Sequence, residues 1–495
     1  MKVIARSSNL LGKITILVVV VLCVNTAMAL DGSGTEEDPW LIQSLDDFND
    51  FAADANYWDD YTRLETDVNL AGLIYSTAVI APDVNDVEYW FQGTAFTGVF
   101  DGNNHQIINL TIDDGGVQNN FLGLFGFTTD GDVRDLGLEG GSFSGGSTVG
   151  GLVGANGDLN NIGSAISNCY FTGDVNSYSY VGGLVGANLG SISKCYFTGD
   201  VKSFAGIAGG LVMDNGGSIS NCHSTGSVMS RQTVGGLVGY NVNGGSISNC
   251  YSTSSVSIFG PSSNFSFGGL VGVNDYGGSI SNCYSTGDVS GNDSVGGLVG
   301  YNHYYSSISN CYSIGDVRGN DYVGGLVGGN GHWAVMYYNP GGEISNCYST
   351  GDVIGNDNVG GLVGENYDDG IISNCYSIGD VNGVSNVGGL VGWNGQIGVS
   401  NDSFWDTNTQ THGITESIGL NEGTVSNVEG LPTAQMQTKS TFTDAGWDFI
   451  DIWLINESAT YPVLRQEIRS DLNGDGGVNF LDFGIFANQW MEGVE

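Results

Sequence analysis

The chain has 495 residues, 82 of them glycine and six proline, and a formal net charge of −41. Such a charge repels nucleic acid and anionic membranes, which excludes both as partner classes. Glycine at this level points to disorder or fibre when aperiodic. Here it recurs at a fixed period among Val, Leu, Ile, Cys and Tyr, so a repetitive β-fold is expected instead.

Residues 1–29 read as a secretory signal. Lys2, Arg6 and Lys13 precede an apolar run from Ile14 to Val24, and Ala27-Met-Ala29 supplies small residues for cleavage before Leu30. The apolar run is short for a membrane span, so an exported chain with no span is expected, carrying a charge of −44 once those three basic residues are lost. From Ser44 to Ala53 a helix is expected: Ser44 can cap it with Asp47 at the third position, and Leu45, Phe48 and Phe51 share a face. Residues 61–112 alternate apolar and polar over short spans broken by turns such as Asp101-Gly-Asn-Asn104, which reads as strands. Phe121-Leu-Gly-Leu-Phe-Gly126 looks like a degenerate first copy of a phrase, VGGLVG, that recurs from Val149 onward. Residues 30–140 are therefore taken as an N-terminal cap with the first irregular coils.

Residues 141–399 hold the repeat. VGGLVG or a variant begins at Val149, Val181, Ala208, Val234, Phe267, Val295, Val323, Val359 and Val387. Between copies stands a second phrase, ISNCYSTGDV or similar, whose cysteines fall 26, 27, 28, 33, 28, 36 and 28 residues apart. One such unit cannot bury its own apolar face, but stacked units can. With parallel strands about 4.8 Å apart, nine coils make a rod of roughly 40 Å. Period two places Cys283, Ser285, Gly287 and Val289 on one face and Tyr284, Thr286 and Asp288 on the other. The recurrent Asn before Cys (Asn168, Asn221, Asn249, Asn282, Asn310, Asn346 and Asn374, with Lys194 the exception) suits a bend, and stacked Asn side chains can bond from coil to coil. One cysteine per coil at a constant phase reads as a ladder of buried free thiols, because side chains on adjacent parallel strands point the same way, with four disulfide bridges in an exported chain as the alternative. The Asp of Gly-Asp-Val and the Asn292-Asp293, Asn320-Asp321 and Asn356-Asp357 column read as a solvated acidic face, with a row of weak calcium sites as the alternative.

These phrases closely resemble the GLUG motif of bacterial secreted and surface proteins, and GSGTEEDPW and FTGVFDGNNHQIINL resemble the N-terminal regions that accompany it. The resemblance covers roughly residues 32–465. It implies a right-handed parallel β-helix, an all-β solenoid; the periodicity alone gives only a parallel solenoid. The family brings no single activity with it. Residues 400–465, richer in large aromatics, are expected to form the C-terminal cap.

Residues 466–495 form a separate tail. Asp471, Asn473, Asp475, Asn479 and Asp482 place oxygens at positions one, three, five, nine and twelve of a loop, Gly476 stands at the sharp turn, and Gly477 offers its carbonyl. A hard cation such as calcium needs several oxygens at short range, and this spacing supplies them. A helix is expected from Phe483 to Trp490. The loop is EF-hand-like and resembles one type I dockerin repeat, whose last ligand is also Asp. A dockerin carries two such repeats, and the single one here leaves a cohesin-like partner in doubt.

No catalytic residue is assigned. The five histidines share no motif spacing, and the coil cations Lys194, Lys202, Arg231 and Arg318 sit in no active-site phrase. The candidate ligand-binding residues are the aromatics inserted after the Val-Gly-x-Asn phrase: Tyr301, His303, Tyr304 and Tyr305; His332, Trp333, Tyr337 and Tyr338; and Tyr367. The insertions share one phase and should emerge on one edge, where aromatic faces beside carboxylates stack on sugar rings. The chain thus reads as an exported, non-catalytic solenoid for adhesion, binding a polysaccharide or a cell-surface protein and docked through calcium. The alternative is a polysaccharide-degrading enzyme, a glycoside hydrolase or lyase, or a component of such a complex.

Overall fold

The computed structural model describes residues 30–85, 90–157, 164–260, 265–331 and 341–465. The signal segment, the tail with Asp471 to Asp482, and His332, Trp333, Tyr337 and Tyr338 lie outside the described residues. The fold is an all-β parallel solenoid of right-handed type with about 11 turns. One turn runs through Ser279–Ser281, Tyr284–Ser285, Val289–Ser290, Asp293–Gly296 and Val299–Asn302 before the next begins at Ser307. Like residues pair from coil to coil: Ile280 with Ile308, Tyr284 with Tyr312, Val289 with Val317, Val295 with Val323 and Val299 with Val327, all parallel.

Three faces result. The first carries the Ser-Ile-Ser, Cys-Tyr-Ser and Gly-Asp-Val strands, and the second and third are ladders of ten and 11 strands. The third runs from Phe125–Thr128 to Ile418–Asn421, one coil beyond each end of the nine recurrent phrases. At about 4.8 Å per coil the stack spans roughly 50 Å. Phe121-Leu-Gly-Leu-Phe-Gly126 is indeed the first copy, since Leu122 pairs with Val149 and Phe125 with Val153.

The interior repeats. Ile280, Cys283, Ser285, Val289, Val295, Leu298 and Val299 are all buried, and the same positions are buried in neighbouring coils. Tyr284 is half-buried and Asp288 exposed, as period two requires. The eight cysteines among the described residues are free and buried. Most accept a backbone N–H from the coil before, as Cys250 Sγ does from Cys222 at 3.4 Å, and burial holds the Cys195, Cys250, Cys283 and Cys347 thiols well above their ordinary range. Glycine is needed where the chain turns between the second and third faces: a Cβ on Gly296 would overlap the Val299 carbonyl, and one on Gly297 would overlap that of Gly325. The Gly-Gly-Leu-Val-Gly phrase is thereby accounted for by close backbone approach.

The first face bends at a left-handed residue. Asn168, Asn221, Asn249, Asn282, Asn310, Asn346 and Asn374 all have φ of 52–56°, and Lys194 stands at 54°. Asparagine tolerates this conformation better than most residues. The continuous amide ladder belongs to another column. Asn156, Asn188, Asn215, Asn241, Asn274, Asn302, Asn330, Asn366, Asn394 and Asn421, the last residues of Val-Gly-x-Asn, are joined Nδ2 to Oδ1 at 2.7–2.9 Å. Between bend asparagines the contacts are longer, 3.4 Å for Asn310 to Asn282 and 3.5 Å for Asn374 to Asn346.

At the N-terminus the helix Leu45–Ala53 begins where expected. Ser44 accepts from the Asp47 N–H at 3.1 Å, Asp47 reaches back to the Gln43 N–H at 3.0 Å, and Phe48 and Phe51 enter the core. The C-terminal segment from Thr433 packs sideways. Met436, Phe442, Trp447, Trp453 and Leu464 bury themselves against Tyr312, Tyr348, Tyr376 and Phe404 on the outside of the first face.

Candidate binding edge

Three columns of side chains leave the solenoid in ways that bear on function. The first is aromatic. Tyr170, Tyr196, His223, Tyr251, Tyr284, Tyr312, Tyr348 and Tyr376 stack ring on ring, with centroids 4.7–5.1 Å apart and planes within 9°. Each inner ring has both faces covered by its neighbours. The ladder therefore offers edges and not faces, and sugar stacking needs a face. Burial and the Glu139 carboxylate push the Tyr170 phenol up to about 12, and burial lowers His223.

The second column is acidic. The Asp288 carboxylate accepts the Asp316 backbone N–H at 3.0 Å, Asp316 accepts from Asp352 at 3.1 Å, and Asp352 accepts from Asp380 at 2.9 Å. Each charge thus meets a peptide dipole of the next coil. Asp293, Asp321 and Asp357 stack in register on the second face, where burial and the two flanking charges raise the Asp321 carboxyl. Among the described residues no three His, Cys, Asp or Glu side chains converge on a metal-sized site.

The third column is the edge after Val-Gly-x-Asn. A two-residue turn built on left-handed residues closes four of the described coils there. Asn243 and Gly244 have φ of 54° and 80°, and Tyr276 and Gly277 have 48° and 78°. Asn-Gly is the sequence such a turn prefers. The next coils depart from it: Tyr304 and Tyr305 stand at 50° and 63°, and Asp368 and Asp369 at 45° and 60°. A bulky residue held left-handed costs roughly 1–2 kcal/mol. Strain of this kind concentrates where a side chain is needed at a fixed place.

The aromatics of this edge are interlocked. Tyr304 stacks on Tyr276 at 4.7 Å and meets His303 edge-on at 4.6 Å, and His303 meets Tyr301 edge-on at 4.8 Å. His303 Nδ1 lies 2.6 Å from Asp275 Oδ1, with both side chains 12% exposed. Burial, with Glu365 adding, holds the Tyr301 phenol well above its ordinary range. Tyr367 packs on Trp393 at 5.3 Å. The Gly341 N–H donates to the Asp368 carbonyl, and His303 pairs with Gly341, so the edges of three coils are tied together. Tyr305 projects from them, 74% exposed. It borders a cleft of about 360 Å³ lined by Ser306, Ser307, Gly342, Glu343, Asp369 and Ile371.

Trp393 and Glu365 escape a reading by motif, although Val-Gly-Trp-Asn and Val-Gly-Glu-Asn differ from the small residues of the earliest copies. Glu365 is 3% exposed, and its Oε1 has no hydrogen-bond partner among the described residues. Burial, with the charge of Asp368, pushes its carboxyl up to about 8. Asp214, in the same column, is pushed to about 6 by burial. Neither lines the cleft.

This geometry defines a class: a parallel β-solenoid with side chains displayed at one edge of its coils. The chain carries GLUG-motif repeats, matched over residues 145–176, 177–202, 230–257, 263–290, 291–318, 319–354 and 355–382. It is 34% identical to halomucin of Haloquadratum walsbyi over 162 residues, which is 32% of this chain and 2% of that protein's length. Among solved structures, a putative immunoglobulin A1 protease from Bacteroides ovatus aligns over 88% of this chain and 94% of its own at 18% identity, with a TM-score of 0.26. A structure described as IgA1 protease aligns over 73% of this chain and 21% of its own at 18% identity, with a TM-score of 0.31.

Proposed function

We propose that the chain is an exported, non-catalytic binding solenoid that engages carbohydrate or a surface partner through the edge around Tyr305. The observation that carries this reading is the Tyr304-Tyr305 turn, which spends conformational energy to hold an exposed ring beside a cleft bordered by Glu343 and Asp369. An aromatic face meets the C–H side of a sugar ring while carboxylates take its hydroxyls. Replacing Tyr305 by Asn, which tolerates the same turn, is expected to stabilise the protein by about 1 kcal/mol and to abolish retention on a panel of immobilised neutral polysaccharides. Retention unchanged by Tyr305→Asn would remove this site from the reading, and release of reducing ends by the native chain would replace it with the enzymatic one.

The oxygen-rich loop at Asp471, Asn473, Asp475, Gly477, Asn479 and Asp482 is proposed to bind calcium and to order the tail as a docking module. Titration of the full chain with calcium is expected to show one tight site that Asp471→Ala removes. Equal calcium uptake by the native and variant chains would refute it.

A further inference from the structure

The chain has 12 basic residues against 53 acidic ones, so a cation without a carboxylate beside it is unexpected. Arg63, Arg134 and Arg318 each lie against an acid. Lys202 and Arg231, like Lys194, Lys439 and Arg465, form no ion pair among the described residues, and these two sit on neighbouring coils. Lys202 pairs in register with Met229, two residues before Arg231.

Both cations are held by aromatic rings. Lys202 Nζ lies 4.9 Å from the Phe204 centroid and 4.3 Å from that of Phe259, and the Arg231 guanidinium lies 5.9 Å from Phe259. The register explains the gathering. Ser177 pairs with Ser203, and Ser230 with Ile258, so the residues after them in the chain (Tyr178, Phe204, Arg231 and Phe259) form one column where the first face ends. Tyr178 is 52% exposed and Phe204 42%. The patch lies on the first face's far border, away from the turn that carries Tyr305.

We propose that this patch is a second binding site, specific for a carboxylated sugar such as a uronate. Cations pinned on rings lose little freedom on binding. Arginine presents a planar fork that takes a carboxylate through two hydrogen bonds, while lysine supplies a point charge. The exposed aromatic column supplies a surface for the C–H side of the sugar ring. These are the two halves of a uronate, and the paired cations are what separate it from a neutral sugar. The acidic surroundings confine the anion to this spot, because the screening length is about 8 Å at physiological salt and the repulsion of the rest of the rod is damped beyond it.

The test is calorimetric titration of the full chain with tetragalacturonate, and with neutral tetragalactose as the comparison, at 0.15 M salt. Tetragalacturonate is expected to bind at one site per chain, at least tenfold more tightly than the neutral tetramer. The double variant Lys202→Gln, Arg231→Gln should lose at least tenfold. The charge-conserving pair Lys202→Arg, Arg231→Lys should retain more affinity than the double glutamine variant, which separates loss of charge from loss of packing. Tyr305→Asn should leave this binding unchanged, so the two sites fail independently. No heat with tetragalacturonate, equal affinity for the two tetramers in the Tyr305→Asn chain, or undiminished binding by the double glutamine variant would overturn the proposal. Self-association abolished by the glutamine variant, with no uronate binding, would also overturn it and assign the patch to the acidic face of a second copy.

Discussion

Glu365→Gln is expected to raise the stability of the protein at pH 8 by about 2–4 kcal/mol and to leave it nearly unchanged at pH 4. Glu365 is buried, one of its oxygens has no partner among the described residues, and its carboxyl is pushed from 4.5 up to about 8. The folded state therefore holds its proton more tightly than the unfolded chain does. Below pH 4.5 both states are protonated and the group costs nothing through its charge. As the pH climbs from 4.5 to 8 the unfolded chain is free to ionise while the folded one is not, and stability declines across that window. Above pH 8 the loss is complete. Glutamine removes the ionisation, offset in part by an amide that must find partners in the same place. Urea denaturation at the two pH values checks this. Identical pH dependence in the native and variant chains would mean that Glu365 is ionised and hydrated when folded.

Asn302→Ala is the second large effect expected. Asn302 accepts from Asn274 and donates to Asn330, both at 2.8 Å, in the buried amide ladder. Alanine strands a donor on one side and an acceptor on the other. At 1–3 kcal/mol for each buried group left unmade, the loss is about 2–5 kcal/mol. Asn310→Ala, at the left-handed bend with its 3.4 Å contact, should lose only about 1 kcal/mol, set by backbone preference. Chemical denaturation of the two variants ranks them. The reverse order would move the stabilising column to the bend.

The contrast between the two asparagine columns shows what was legible in the sequence. Both recur once per coil, so their period along the chain cannot separate them. Alternation does not separate them either: counted from the buried Val299 it puts Tyr301 inside and Asn302 outside, and the strand departs from period two to bury Asn302. The alternation of Cys283, Ser285 and Val289 against Tyr284 and Asp288 was readable, as were the Ser44 cap and the copy at Phe121. The availability of a ring face was not. Tyr284 and Tyr305 look alike in a sequence, and only the coil-to-coil register shows that the first is covered by Tyr251 and Tyr312 while the second stands clear. The gathering of Lys202, Arg231 and Phe259 was equally hidden, because it depends on how far each turn reaches after Ser203, Ser230 and Ile258. The aromatics beyond Thr433 announced that they required burial, but the expected place was over the last open coil, whereas they lie against Tyr312, Tyr348, Tyr376 and Phe404 on the side of the stack.

That sideways packing changes how the protein meets mechanical load. A bare stack of coils pulled by its end peels one turn at a time, each step breaking only the bonds between two neighbours. Here Tyr376 donates to the Pro462 carbonyl at 2.6 Å, Trp447 to the Asp402 carbonyl at 2.9 Å and Tyr461 to Asp406 at 2.7 Å. Tension arriving from the C-terminal direction is shared between the coil of Tyr376 and the coil of Asp402 and Asp406, so the last turn is not loaded alone.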